Sequence, residues 1–153
     1  MKMTWDDINI CLDILSDKLE KIVFNKIVGI SRGGLIPATL LSYRFNKPIC
    51  SLQWQLRDLD KKRDYENLLK ILRCSTNEGI LIVDDLIDTG NTIKEIDKYI
   101  KELKTQYQYN WPKIYYCVCI IQTNFNQKYN ETLLYGMVKN EEGWIDFPWD
   151  YIK

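Results

Sequence analysis

The chain has 153 residues, with 21 Lys and Arg against 21 Asp and Glu, five Cys, no His and 46% hydrophobic residues. That length and apolar content suit one packed domain, 1–153, and exclude a disordered chain, while the balanced charge excludes a bulk electrostatic hold on nucleic acid or on a membrane surface. Without His there is no His-based triad, His zinc ligand or His general base, so proton transfer must fall to carboxylates, Lys, Tyr or Cys.

The five cysteines are odd in number and lack C-x-x-C spacing, which reads as reduced packing residues in a cytoplasmic setting. No apolar run approaches the length of a membrane span, and no signal peptide is recognisable.

Thr4 with Asp7 reads as a capped helix start, and Ile8, Cys11, Leu12, Leu15, Leu19 and Ile22 form a core-facing helical stripe. Residues 26–30 read as a strand, followed by Ser31-Arg32-Gly33-Gly34 and a helix expected from about Pro37 to Phe45. The two glycines let a ligand approach the backbone, and Arg32 can fork two phosphate oxygens. Residues 48–54 alternate as a strand. Residues 55–65 are dense in charge and read as a loop, and 66–74 fit either a short helix or a strand. After a turn at 75–79 comes the stretch that speaks most of function.

Ile80 to Val83 is a β-branched run suited to a strand buried on both faces. It meets Asp84 and Asp85, then the small-residue turn Asp88-Thr89-Gly90-Asn91-Thr92, then a helical stripe of Ile93, Ile96, Tyr99, Ile100 and Leu103. A strand, an acidic edge, a small-residue loop and a helix N-terminus make an anion site, because the first amides of a helix lack intrahelical acceptors and its dipole favours negative charge. Thr89, Asn91 and Thr92 supply neutral donors. The loop lacks the Gly-Lys-Ser/Thr ending of a triphosphate P-loop. Asp84 and Asp85 suit hydroxyl groups or a divalent cation. Further on, 114–121 read as a buried strand, 122–130 as a polar loop, and 133–138 as a strand with Gly136 as a candidate bulge.

The stretch from Val83 to Thr92 resembles the phosphoribosyl pyrophosphate (PRPP) motif of type I phosphoribosyltransferases. Ser31-Arg32-Gly33-Gly34-Leu35 is similar to the pyrophosphate loop of the xanthine-guanine enzymes, and Trp144-Ile145-Asp146-Phe147-Pro148-Trp149-Asp150 to their base-binding segment. The resemblance implies an α/β fold with a central, mainly parallel sheet flanked by helices and a small hood and C-terminal base-binding region. It implies transfer of phosphoribosyl from PRPP to a nucleobase, most readily a 6-oxopurine, with Mg²⁺ as cofactor, pyrophosphate as product and a homodimer or homotetramer as assembly.

By the same resemblance, Ser31, Arg32, Gly33 and Gly34 hold pyrophosphate through a loop with a cis Ser31–Arg32 peptide. Asp84 and Asp85 hold the ribose hydroxyls and the metal, Thr89, Gly90, Asn91 and Thr92 cradle the 5′-phosphate, and Asp88 accepts the proton from the base. Trp144 stacks on the base, Ile145 offers backbone contacts, and Asp146 is a second metal contact. Residues 55–65 take the place of a closing hood, whose Lys61, Lys62 and Arg63 reach pyrophosphate, and a strand is implied at 66–74. One departure is plain: where 6-oxopurine enzymes place a Lys, this chain has Gln122-Thr123-Asn124, which makes Gln122 and Thr123 the base-reading candidates and keeps a non-purine base open. A PRPP-binding regulator without catalysis is the other alternative, and the acidic Asp88 favours the enzyme.

Overall fold

The computed structural model describes residues 1–56, 61–75, 77–122, 125, 132–140 and 143–151. Helix α1 (Trp5–Leu19) starts as its sequence predicts: Asp7 N donates to Thr4 Oγ1 at 3.2 Å and Thr4 N donates to Asp7 Oδ2 at 2.8 Å. Ile8, Cys11, Leu12, Leu15 and Leu19 are its buried face. Strand β1 (Lys26–Ser31) leads into α2 (Leu35–Phe45), which begins before Pro37. Leu35 N and Ile36 N close turns onto Arg32 O and Gly33 O, at 3.1 and 3.3 Å, so the helix winds up directly from the loop. Pro37 then sits in the first turn, where its missing N–H lies among amides that have no intrahelical acceptor.

Strand β2 (Ile49–Gln55) is followed by the short β3 (Lys62–Arg63), and then by α3 (Tyr65–Arg73). The implied strand at 66–74 is thus a helix. Asp64 Oδ1 accepts from Asn67 N at 3.0 Å, and Leu68, Ile71 and Leu72 are buried together. That spacing of three and four puts all of them on one helical face, whereas a strand would split them between two. Strand β4 (Ile80–Ile87) does not stop at the acidic pair, because its pairing with β5 (Ile114–Gln122) continues through Asp84↔Val118 and Leu86↔Ile120. Helix α4 (Asn91–Gln106) follows β4, and β6 (Leu133–Lys139) and a 3-10 turn (Pro148–Tyr151) complete the elements.

The sheet order is β3-β2-β1-β4-β5-β6, antiparallel only at β3. Leu12, Leu15 of α1 and Ala38, Leu41 of α2 pack with Leu81 and Val83 on one face. Leu68 and Leu72 of α3 and Ile93, Ile96 and Ile100 of α4 pack with Ile80 and Ile82 on the other. So β1 and β4 are neighbours whose following helices leave on opposite faces. A parallel sheet opens a crevice at the carboxyl ends of such a strand pair, and the Gly-Gly turn and the acidic motif both lie there.

Gly136 is not a bulge. The β5–β6 offset is the same on both sides of it, Val118↔Tyr135 and Ile120↔Met137, so no residue is inserted. What changes is the face. In β4, Leu81, Val83 and then Leu86 point to the α1–α2 side, and in β5 Tyr115, Cys117, Cys119 and then Ile120 do. In β6, Leu134 and Met137 do. The alternation slips by one at a single row, Asp85–Cys119–Gly136, across three strands. At that row α1 lies close on the sheet: a Cβ on Gly136 would stand 3.0 Å from Cys11 Cα. Among the described residues no helix is long and apolar enough to cross a membrane.

Candidate active site

Two loops interlock at the crevice. A Cβ on Gly34 would lie 2.5 Å from Val83 O and 2.7 Å from Asp84 Cα, and one on Gly33 would lie 1.9 Å from Asp85 Oδ2. Only glycine allows the turn after β1 to rest on β4 in this way. The Ser31–Arg32 peptide is cis. Ser31 Oγ donates to Leu52 O at 3.2 Å and ties the turn to β2.

Above the interlock lies a cavity of about 670 Å³. Of the residues singled out in the sequence, Ser31, Arg32, Gly33, Asp84, Asp85, Thr92, Trp144 and Ile145 line it. Gly34 lies beneath, against β4. Asp88, Thr89, Gly90 and Asn91 form the turn that delivers Thr92. There Asn91 N donates to Thr89 Oγ1 at 3.4 Å and Lys94 Nζ to Thr89 O at 3.2 Å. Gly90 has φ +75°, and a Cβ on it would meet the Phe125 ring at 1.9 Å, so this turn too is limited to glycine. Gly90 itself offers no capping side chain; Thr89 Oγ1 takes the Asn91 amide, and the amides that follow in the first turn suit an anion.

Burial pushes the Asp85 carboxyl above the ordinary carboxylate value, and the charge of Asp150 pushes the same way; hydrogen bonds with Asp84 and from the Leu86 backbone oppose them. Asp85 N donates to Asp84 Oδ1 at 3.0 Å. The site therefore holds a carboxyl whose charge is costly until a cation or hydroxyl donor arrives.

The remaining candidates are dispersed. Gln122 ends β5 and Asp146 is engaged through its backbone, and neither is among the residues lining the cavity. Asp146 N donates to Met1 O at 2.9 Å and Met3 N to Asp146 O at 2.8 Å. Asp150, part of the base-binding segment but given no role from the sequence, does line the cavity, and its Oδ2 accepts from Phe147 N at 2.9 Å. Thr123 and part of the expected hood, 57–60, lie outside the described residues. Of the hood cations, Arg63 is turned to Glu95, with Nε–Oε2 at 2.6 Å and Nη2–Oε1 at 2.8 Å. Trp54 Nε1 donates to the same carboxylate at 3.4 Å. Lys61, Arg63 and Lys94 border a smaller cavity of about 280 Å³ beside Asn91. The sequence signal for this corner was an acid on the first turns of α4 opposite a basic run, too common a pattern to single out.

Residues 5–152 match the family model of the phosphoribosyl transferase domain. The xanthine-guanine phosphoribosyltransferase of Nitratidesulfovibrio vulgaris (strain DP4) is 30% identical over 155 residues, covering 97% of this chain and 83% of that one. That of Chromohalobacter salexigens is 28% identical over 154 residues, covering 97% and 82%. Among solved structures, a purine phosphoribosyltransferase from Pyrococcus horikoshii Ot3 has a TM-score of 0.70 at 23% identity over 100% of this chain and 95% of that chain, a likeness of fold. With sheet order, interlocked loops and family model in agreement, the chain belongs to the phosphoribosyl transferase domain family and has the α/β fold of type I phosphoribosyltransferases.

Proposed function

We propose that the chain transfers the 5-phosphoribosyl group from PRPP to a 6-oxopurine, guanine, xanthine or hypoxanthine, and releases pyrophosphate, as in purine salvage. The observation that carries this reading is the contact of Gly33 and Gly34 with Val83, Asp84 and Asp85 under a cavity that Trp144 and Ile145 also line. A cytoplasmic setting and a homodimer or homotetramer belong to the same reading and rest on family likeness.

In this reading the sugar carbon–oxygen bond to pyrophosphate breaks as the carbon–nitrogen bond to the base forms. Arg32 and the Gly33-Gly34 backbone hold the leaving pyrophosphate. Thr89, Gly90, Asn91 and Thr92 hold the 5′-phosphate at the α4 N-terminus. Asp84 and Asp85 take the ribose hydroxyls, Trp144 offers a flat face to the base, and Ile145 its backbone. Asp88 accepts the proton that the base nitrogen loses. Gln122 and Thr123 remain the candidates to read the edge of the base.

The donor set suits Mg²⁺. Asp85 and Asp150 are hard oxygen donors on one cavity, and among the described residues no three acidic, Cys or His side chains converge into a protein cage. Mg²⁺ binds through one or two carboxylates and completes its shell with water and substrate phosphates. Asp85 would hold it, with Asp150 a better second contact than Asp146, and it would supply charge neutralisation for the leaving pyrophosphate. The test is pyrophosphate release with PRPP and Mg²⁺ across guanine, xanthine, hypoxanthine, adenine, uracil, orotate and nicotinamide. Release with a 6-oxopurine is expected. Release only with another base overturns the substrate, and no release with PRPP still bound in calorimetry overturns the enzyme reading.

A further inference from the structure

Residues 1–3 run parallel to residues 144–146 in a short ladder outside the six-stranded sheet. Met1 N donates to Trp144 O at 2.7 Å, Asp146 N to Met1 O at 2.9 Å and Met3 N to Asp146 O at 2.8 Å, about a bridge between Lys2 and Asp146. These bonds fix more than the atoms that make them. Among the described residues the cis link is Ser31–Arg32 alone, so the peptides on both sides of Ile145 are trans. In a planar trans peptide the C=O and the N–H point opposite ways. Trp144 O points at Met1, so Ile145 N–H points away from residues 1–3. Asp146 N–H also points at Met1, so Ile145 C=O points away as well.

Ile145 lines the cavity, yet it is buried in one cluster with Met3 and Phe147. The ladder therefore gives Ile145 a peptide edge, one donor and one acceptor, on the side opposite residues 1–3. Such an edge matches a flat heterocycle that carries an acceptor and a donor of its own. The outer strand of the ladder is itself anchored. Met3 is 1% exposed and packs in the cluster that holds Leu12 and Leu15 of α1, and the next residue, Thr4, caps that helix. Residues 1–3 cannot slide along the 144–146 segment without drawing Met3 out of the core or disturbing the start of α1.

We infer that Met3 is a positioning residue for the nucleobase: through its bond to Asp146 it sets the Ile145 peptide edge at the cavity. The inference rests on the reading of Ile145 as a backbone contact to the base. Met3→Pro removes the N–H that donates to Asp146 O, and Met3→Leu keeps that N–H and an apolar side chain of similar volume. In the nitrogen-15-labelled chain, the Ile145 and Asp146 amide resonances are expected to move in Met3→Pro, and the Asp146 amide to exchange faster with solvent. Those of Thr89 to Thr92 stay in place. In steady-state kinetics Met3→Pro raises KM for the base about tenfold with KM for PRPP within about twofold, while Met3→Leu stays near the native values. An unmoved Ile145 resonance, an equal rise in both KM values, or a loss in Met3→Leu as large as in Met3→Pro overturns the inference. Should Met3→Pro fail to fold, the full chain with an ester in place of the Lys2–Met3 amide, assembled by ligation at Cys11, removes the same donor and keeps the side chain. If the native chain turns over no base in the panel, the proposed function fails, while the amide spectra still decide the role of Met3.

Discussion

Gly33 and Asp85 are in direct contact: a Cβ on the first would lie 1.9 Å from Oδ2 of the second, which leaves no room for a methyl group. Far apart in sequence, they meet because β1 and β4 are sheet neighbours. Gly33→Ala must displace the carboxylate or lift the loop that carries Arg32. PRPP affinity, by calorimetry with Mg²⁺, is expected to fall at least tenfold, an order-of-magnitude figure for a displaced positioning contact. Unchanged affinity would mean that the turn and the carboxylate do not serve one ligand.

Asp85 itself is expected to trade stability for binding. Its carboxyl titrates above the ordinary value because it is buried. The stability this group contributes is present below the ordinary carboxylate pKa and lost as pH rises through its raised value. Asp85→Asn removes that loss. Without divalent cation its melting temperature at pH 8 should exceed that of the native chain by a few degrees, on the order of 2–4 °C. The gain should shrink toward pH 4, and Mg²⁺-dependent PRPP binding should weaken sharply. A gain independent of pH would place its cause elsewhere.

Asp88 lies on the turn between β4 and α4, two residues before the glycine that the Phe125 ring covers. Asp88→Asn keeps the shape of the turn and removes the proton acceptor. Turnover should drop by about 10²-fold or more, in the range of a general base, with PRPP affinity held within a few-fold. Equal loss of both would make Asp88 a binding residue.

Local signals were legible in the sequence and long-range ones were not. The Thr4–Asp7 box, the α1 stripe and the two Gly-bearing turns each depend on neighbours within a few residues, so their patterns survive in the linear chain. Residues 66–74 were ambiguous because a short apolar triplet fits either period until the Asp64 cap is seen. Asp146 and Asp150 are equivalent by composition, and only the 3-10 turn and the backbone stitching of Asp146 decide which carboxylate faces the cavity. The slip at Asp85–Cys119–Gly136 needs three strands side by side to exist. Nothing near Met3 announces that it pairs with Asp146.

The Arg63–Glu95 fork joins β3, at the base of the hood region, to the first turns of α4. Arg63 hydrogen bonding holds the Glu95 carboxyl below its ordinary value. A lowered acid contributes stability above the ordinary glutamate pKa and loses it as pH falls through the lowered one. Arg63→Met should therefore melt below the native chain at neutral pH, with the gap narrowing as pH drops to about 3. The pair is partly exposed, so salt should narrow it too. A gap that holds in acid would assign the effect to lost packing of the Arg63 stem.

Gly136 reports on the slipped row. A Cβ there would stand 2.9 Å from Cys119 O and 3.0 Å from Cys11 Cα and Cβ, all parts of packed backbone or of a side chain fixed in α1. Neither neighbour can swing aside as a long surface side chain would. Gly136→Ala must then push α1 off the sheet, with a loss of about 1–3 kcal/mol typical of overpacking. Urea unfolding measures it as a lower midpoint with unchanged slope. The C-terminal segment leans on the same face, since Ile145 and Phe147 pack in one cluster with Cys11 and Cys119. A shifted α1 should thus also loosen Trp144, and KM for the base should rise more than KM for PRPP. A neutral substitution would mean that α1 can ride up on the sheet freely, and that the slip of three strands is not there to seat it.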